Sequence, residues 1–184
     1  MYMVRLVAAC LLAAMSYSAF ACDEARAFGF EFGRPVPAKF GDVKEFWFQG
    51  GTAPGNVIRS FTADVPAPVP GFDNYAFWSN RDRQVVHAIT AFRQLITERS
   101  LLHDDAYRRS VLEKVKPEIE RLKKSWGDRY GFVYVATTKS ELTWEAKTPS
   151  VTSTIGILGE YLYLECVNNA LQAKALSIAL GRTR

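Results

Sequence analysis

The sequence predicts an α+β domain: an antiparallel sheet, or sheets, of about eight short strands packed against one long amphipathic helix and a short C-terminal helix. Three observations predict it. Alternating, β-branched and aromatic runs bounded by Gly, Pro and polar turns fall in two groups, one on each side of residues 105–126. Between the groups Tyr107, Val111, Val115, Ile119, Leu122 and Trp126 recur at steps of four and three, a single apolar stripe. After the last pair of runs comes an Ala-rich segment with its own stripe.

In chain order, residues 1–21 read as a secretory signal peptide. Arg5 gives a weakly positive start, Leu6–Met15 is a compact apolar core, and Ala19-Phe20-Ala21 is a small-x-small cleavage site. The apolar core is too short for a comfortable membrane span. The expected organisation is therefore a leader over 1–21 and a single domain over 22–184, soluble, with no later apolar run long enough to cross a bilayer. The expected address is the periplasm or the exterior. A lipoprotein anchored at Cys22 fits less well, because the preceding residues place Phe20 and no Leu before the cysteine; Val7-Ala8-Ala9-Cys10 has too little apolar sequence ahead of it.

The leader removes one base, Arg5, and no acid, so the net charge falls from +4 to +3. No long basic block is present, and no nucleic-acid partner is expected. Cys10 leaves with the leader, and the remaining Cys22 and Cys166 are expected to pair in an oxidising compartment. The alternative is a buried, unpaired Cys166 with Cys22 at a fraying terminus.

Residues 23–41, with Phe28-Gly29-Phe30-Glu31-Phe32-Gly33 and then Pro35 and Pro37, read as a segment lying flat on a core while turning tightly. Val43–Phe48 reads as a strand turned by Gly50-Gly51, and 57–63 as the next. Pro66, Pro68 and Pro70 make residues 65–71 an extended connector. Asn74–Ser79 is a third strand and Asn80–Arg83 a polar turn. The run from Val85 to Ile96 fits both a helix face and a strand; its β-branched content and the preceding turn favour a strand to Phe92, completing a four-stranded meander over 43–92.

The long helix is expected over 105–126, with Asp104 and Asp105 at its start, Lys123 and Lys124 in its last turn and Gly127 as its stop. Pro117 lies about 200° around the helix from Val115, so its missing hydrogen bond faces solvent and bends the rod without breaking it. Arg108, Arg109, Glu113, Lys116, Glu118, Glu120, Arg121 and Lys124 read as a solvated face. Two hairpins follow, 132–136 with 142–146, and 151–158 with 161–166 turned at Gly159-Glu160. Asn168 or Asn169 then caps the short helix, whose stripe is Leu171, Ala175 and Ile178.

Phe28-Gly29-x-x-x-Gly33, Pro70-Gly71-Phe72-Asp73-x-Tyr75 and the helix closing in Trp126-Gly127-Asp128-Arg129-Tyr130-Gly131 resemble small bacterial envelope proteins of uncharacterised function. The resemblance covers about two-thirds of the chain after the leader. It implies a similar α+β fold and a periplasmic or secreted home, and it transfers no catalytic residue.

Chemistry is sparsely encoded. Only His87 and His103 are present, too few for a zinc site with ordinary ligand spacing, and His103-Asp104-Asp105 reads as a helix cap. A Cys–His pair would need Cys166 free. No nucleophile elbow, Walker loop or His-Glu-x-x-His occurs, and nothing singles out a carboxylate pair among Glu31, Glu45, Asp73, Glu141, Glu145, Glu160 and Glu165. No catalytic residue, metal or cofactor is expected. What stands out is aromatic surplus at adjacent strand positions, Phe46-Trp47-Phe48 and Tyr75 to Trp78, which a strand must send to opposite faces. One set can enter the core, and the other can meet a partner. The expectation is thus a non-catalytic binding or partner protein of the envelope, with Trp47, Tyr75 and Trp78 as binding residues. The alternatives are a small hydrolase and a carrier of a small apolar ligand.

Overall fold

The computed structural model describes residues 22–37, 57–62, 65–80, 84–97, 104–127, 131–138 and 141–179. The leader, the expected strand 43–48 with Trp47, the turn Gly50-Gly51 and His103 lie outside the described residues. The elements are β1 (Arg26–Ala27), β2 (Phe30–Glu31), β3 (Val57–Thr62), β4 (Asn74–Asn80), β5 (Val86–Gln94), α1 (Asp105–Gly127), β6 (Val133–Thr138), β7 (Glu141–Lys147), β8 (Val151–Leu158), β9 (Tyr161–Asn168) and α2 (Asn169–Ala179). The fold is α+β. Among the described residues a seven-stranded sheet runs in the order β3-β4-β5-β9-β8-β7-β6, and β1-β2 forms a separate two-stranded ribbon; every pairing among them is antiparallel.

The topology is two meanders joined by α1. After β3-β4-β5 the chain passes through α1 to the far edge of the sheet, enters at β6, and winds back until β9 pairs with β5. The ambiguous run from Val85 to Ile96 is a strand, as its β-branched residues favour, and it continues to Gln94.

Strand alternation divides the sheet into two faces. Tyr75, Phe77, Ile89, Ala91, Ile155, Leu162, Leu164 and Cys166 pack in one core with Val115, Ile119 and Leu122 of α1. Ala76, Phe92 and Tyr163 form a smaller cluster on the other face. There Tyr163 crosses so close to Gly156 that a Cβ on that glycine would lie 2.5 Å from the ring; only Gly admits the phenol, whose hydroxyl is 3.2 Å from Thr143 Oγ1.

α1 follows its stripe. Asp104 caps it, Oδ1 accepting from the N–H groups of Ala106 at 2.9 Å and Tyr107 at 3.0 Å. Pro117 is exposed and the helix continues through it. Two residues read as solvated are not. Glu118 is partly buried and pairs with Arg93 of β5, tying helix to sheet, while Arg108 is partly buried at the other end of α1. Both lie beside the stripe: Glu118 precedes Ile119 and Leu122, and Arg108 sits three and four residues before Val111 and Leu112.

The N-terminal segment closes the core. Phe28 and Gly29 turn β1 into β2 with φ of 52° and 81°, the geometry of a two-residue type I′ hairpin. A positive φ is costly for Phe, and what holds it is burial. The Phe28 ring is fully buried, edge-on to Tyr75 at 5.4 Å and stacked on Trp126 at 5.7 Å. The same segment extends the ladder on β5 beyond the end of β9: Gly33 N–H donates to Val86 O at 2.8 Å and Val86 N–H to Arg34 O at 2.9 Å. A disulfide joins Cys22 to Cys166 of β9, Cα atoms 5.6 Å apart and 144 residues apart in sequence. At the other terminus Asn168 Oδ1 accepts the Leu171 N–H at 3.0 Å and caps α2.

Candidate functional site

The expected binding residues fall in different places. Tyr75 is fully buried in the main core, its hydroxyl accepting the Val69 N–H at 2.8 Å. It therefore belongs to the core and not to a partner surface, a correction to the sequence reading. The cause is strand parity: Tyr75 and Phe77 point towards α1, whereas Trp78 points away. Trp78 is partly buried on the opposite face, and its indole N–H donates to Thr90 Oγ1 at 3.1 Å; Thr90 in turn donates to Glu165 Oε1 at 3.0 Å. This chain of bonds crosses β4, β5 and β9 and fixes the indole to the sheet. Trp47 lies outside the described residues.

His87 sits where the β4–β5 register shifts opposite Trp78 and Ser79. It is buried, neither ring nitrogen has a hydrogen-bond partner among the described residues, and burial pushes its pKa down to about 4. Among the described residues no carboxylate is hydrogen-bonded to this imidazole. Cys166 offers no thiol, since it is disulfide-bonded. Among the described residues no cluster of His, Cys, Asp and Glu has the makings of a metal site.

The surface feature that stands out is the edge strand β6. Val133 is 67% exposed and Tyr134 50% exposed, adjacent residues on opposite faces of the strand. Among the described residues β6 pairs only with β7, so its outer backbone edge meets no described strand. Its sequence, Val-Tyr-Val-Ala-Thr-Thr, contains neither charge nor proline, the devices that usually blunt an exposed edge. Tyr134 pairs with Trp144 of β7, ring centroids 5.6 Å apart, and Lys123 of α1 holds its ammonium 5.5 Å from the Trp144 ring centre while pairing with Glu120 at 2.8 Å.

Two residues before Trp144 on the same strand, Leu142 faces α1 and lines a cavity of about 60 Å³ with Leu95, Ile96, Arg108, Val111, Leu112, Ile157 and Gly159. The Leu95 N–H donates to Glu160 O at 2.7 Å, which fastens the end of β5 to the β8–β9 turn and closes one wall. The sequence did not single out this edge. Its only signal was the uncharged run 132–136, because exposure at an edge depends on strand order.

No family model, curated protein or solved structure matches the chain. Among the described residues no helix is long and apolar enough to cross a membrane.

Proposed function

We propose that this chain is an exported, non-catalytic binding protein of the bacterial envelope that docks a protein partner along the β6 edge. The observation that carries the reading is the exposed, uncharged edge strand with Val133 and Tyr134 on it and the Tyr134–Trp144 pair beside it. Such an edge offers unpaired backbone groups to an added strand and aromatic area to its side chains. The leader read in residues 1–21, the Cys22–Cys166 bridge and the resemblance to small envelope proteins support the exported home. A carrier of apolar ligands is less well supported, since pockets for such ligands usually hold several hundred Å³ and the apolar cavity beside α1 holds about 60 Å³.

The test has two arms. Fractionation of expressing cells should place a shortened chain in the periplasm or medium; a full-length chain confined to the cytoplasm overturns the export reading. The mature protein should capture a partner from envelope extract, and Tyr134→Lys should reduce that capture at least tenfold with an unchanged circular-dichroism spectrum. Equal capture by the variant overturns the β6 assignment.

A further inference from the structure

The cavity beside α1 carries a chemistry of its own. Among the described residues its walls are Leu95, Ile96, Val111, Leu112, Leu142, Ile157 and Gly159, and the single charged group on its lining is Arg108. Arg108 is partly buried and its guanidinium makes no ion pair or hydrogen bond with any described residue. Arg109, Lys114, Lys116 and Lys124 of the same helix are exposed to water, and Arg121 and Lys123 pair with glutamates of α1, whereas Arg108 is partly withdrawn from solvent. A half-buried cation left unpaired at the lip of an apolar hole favours an anion attached to an apolar group.

The dimensions narrow the ligand. A cavity of roughly 150 Å³ accepts benzene, so one of about 60 Å³ accepts a branched aliphatic group of roughly three or four carbons. A longer acyl chain would not fit. The described lining residues include no carboxylate to balance an ammonium, so a free zwitterionic amino acid is disfavoured. A chain ending in Val or Leu meets all of these conditions. Its terminal carboxylate lies close to a short branched side chain, and its α-nitrogen is an uncharged amide.

We propose that this cavity receives the C-terminal aliphatic residue of a partner polypeptide, with the terminal carboxylate on the Arg108 guanidinium. The proposal rests on the partner-binding reading above and names the part of the partner that is recognised. Location supports a polypeptide: Leu142 in the cavity and the partly buried Trp144, whose ring partner Tyr134 is exposed, lie on one face of β7, two residues apart. A chain anchored in the cavity can therefore continue over Trp144 towards the β6 edge. Capture of a C-terminal carboxylate is an established mode of peptide recognition.

The experiment titrates the isotopically labelled mature protein with N-acetyl-Gly-Gly-Val carrying a free carboxylate, followed by amide chemical shifts. Shifts should concentrate at Leu95, Ile96, Leu112 and Leu142. The carboxamide of the same peptide, and Arg108→Gln with the free acid, should each bind at least tenfold more weakly. Leu112→Phe, which fills the cavity without removing charge, should also weaken binding at least tenfold, and the Phe-terminated peptide should bind poorly. Equal binding of acid and amide, or an unaffected Arg108→Gln, overturns the carboxylate assignment. Isovalerate binding as tightly as the peptide makes this a small-carboxylate site and overturns the polypeptide partner. Tyr134→Lys should leave this short peptide's binding unchanged, so failure at the cavity and failure at the β6 edge are read separately.

Discussion

The two faces of the sheet are built on different principles. Towards α1, Tyr75, Phe77, Ile89, Ile155, Leu162 and Leu164 form a continuous apolar layer closed by Val115, Ile119, Leu122 and Phe28. On the other side Trp78, Thr90 and Glu165 of β4, β5 and β9 are linked through side-chain hydrogen bonds, and Thr143 of β7 bonds Tyr163 of β9. The first face is held by area removed from water, while the second adds to its small Ala76, Phe92 and Tyr163 cluster a set of bonds whose partners must all be present. Damage to the first should scale with the volume deleted, and damage to the second with the groups left unpaired.

The largest effect should come from the staple on the apolar face. Closing a loop with a sequence separation of 144 residues contributes about 5 kcal/mol in the chain-entropy account. Reduction should lower the denaturation midpoint accordingly, and alkylation of the unreduced, denatured protein should find neither Cys22 nor Cys166 free. Full labelling of both thiols removes the staple from the comparison.

Next is the apolar layer itself. Ile119→Ala deletes a buried side chain of the α1 stripe and should cost about 2–5 kcal/mol in urea melts. Lys116→Ala, on the exposed side of the same helix, should stay within about 0.5 kcal/mol. Equal midpoints for the two variants would mean that α1 does not close the core through this stripe.

His87 gives the comparison a pH dependence. Its pKa is lowered from 6.5 to about 4 because burial penalises the cation. Above pH 6.5 the ring is neutral in both folded and unfolded chains. Between the two values the unfolded chain takes up the proton and the folded one does not, so stability falls as pH drops from 6.5 to about 4 and then levels off. The loss attributable to this ring is on the order of 3 kcal/mol. His87→Phe should flatten that part of the profile; matching slopes in wild type and variant would remove His87 as the cause.

The smallest effect is expected on the polar face. Thr90→Val keeps the shape but removes the acceptor for Trp78 and the donor to Glu165. It should cost about 1–2 kcal/mol. A double-mutant cycle with Trp78→Phe should show that the two losses are not additive. Additive losses would mean that the chain of bonds does not act as a unit.

The sequence by itself determined what depends on neighbours along the chain. The stripe and Asp104 defined α1, the alternating runs defined β4, β8 and β9, and Phe28-Gly29 announced a tight turn, because periodicity, caps and turn chemistry act within a few residues. Strand alternation requires the aromatics between Tyr75 and Trp78 to divide between two faces, yet sequence alone names both Tyr75 and Trp78 as binding residues. Tertiary structure alone decided which of them enters the core, since parity fixes the difference between faces but not which face α1 covers. It decided that β9 inserts beside β5 and leaves β6 as an edge, because strand order is set by long-range pairing that no local pattern encodes. The sites follow from that order. Arg108 reads as one more solvated charge until Leu142 and Ile157 are brought against α1, and Tyr134 reads as one more strand aromatic until its strand is the last of the described strands in the sheet.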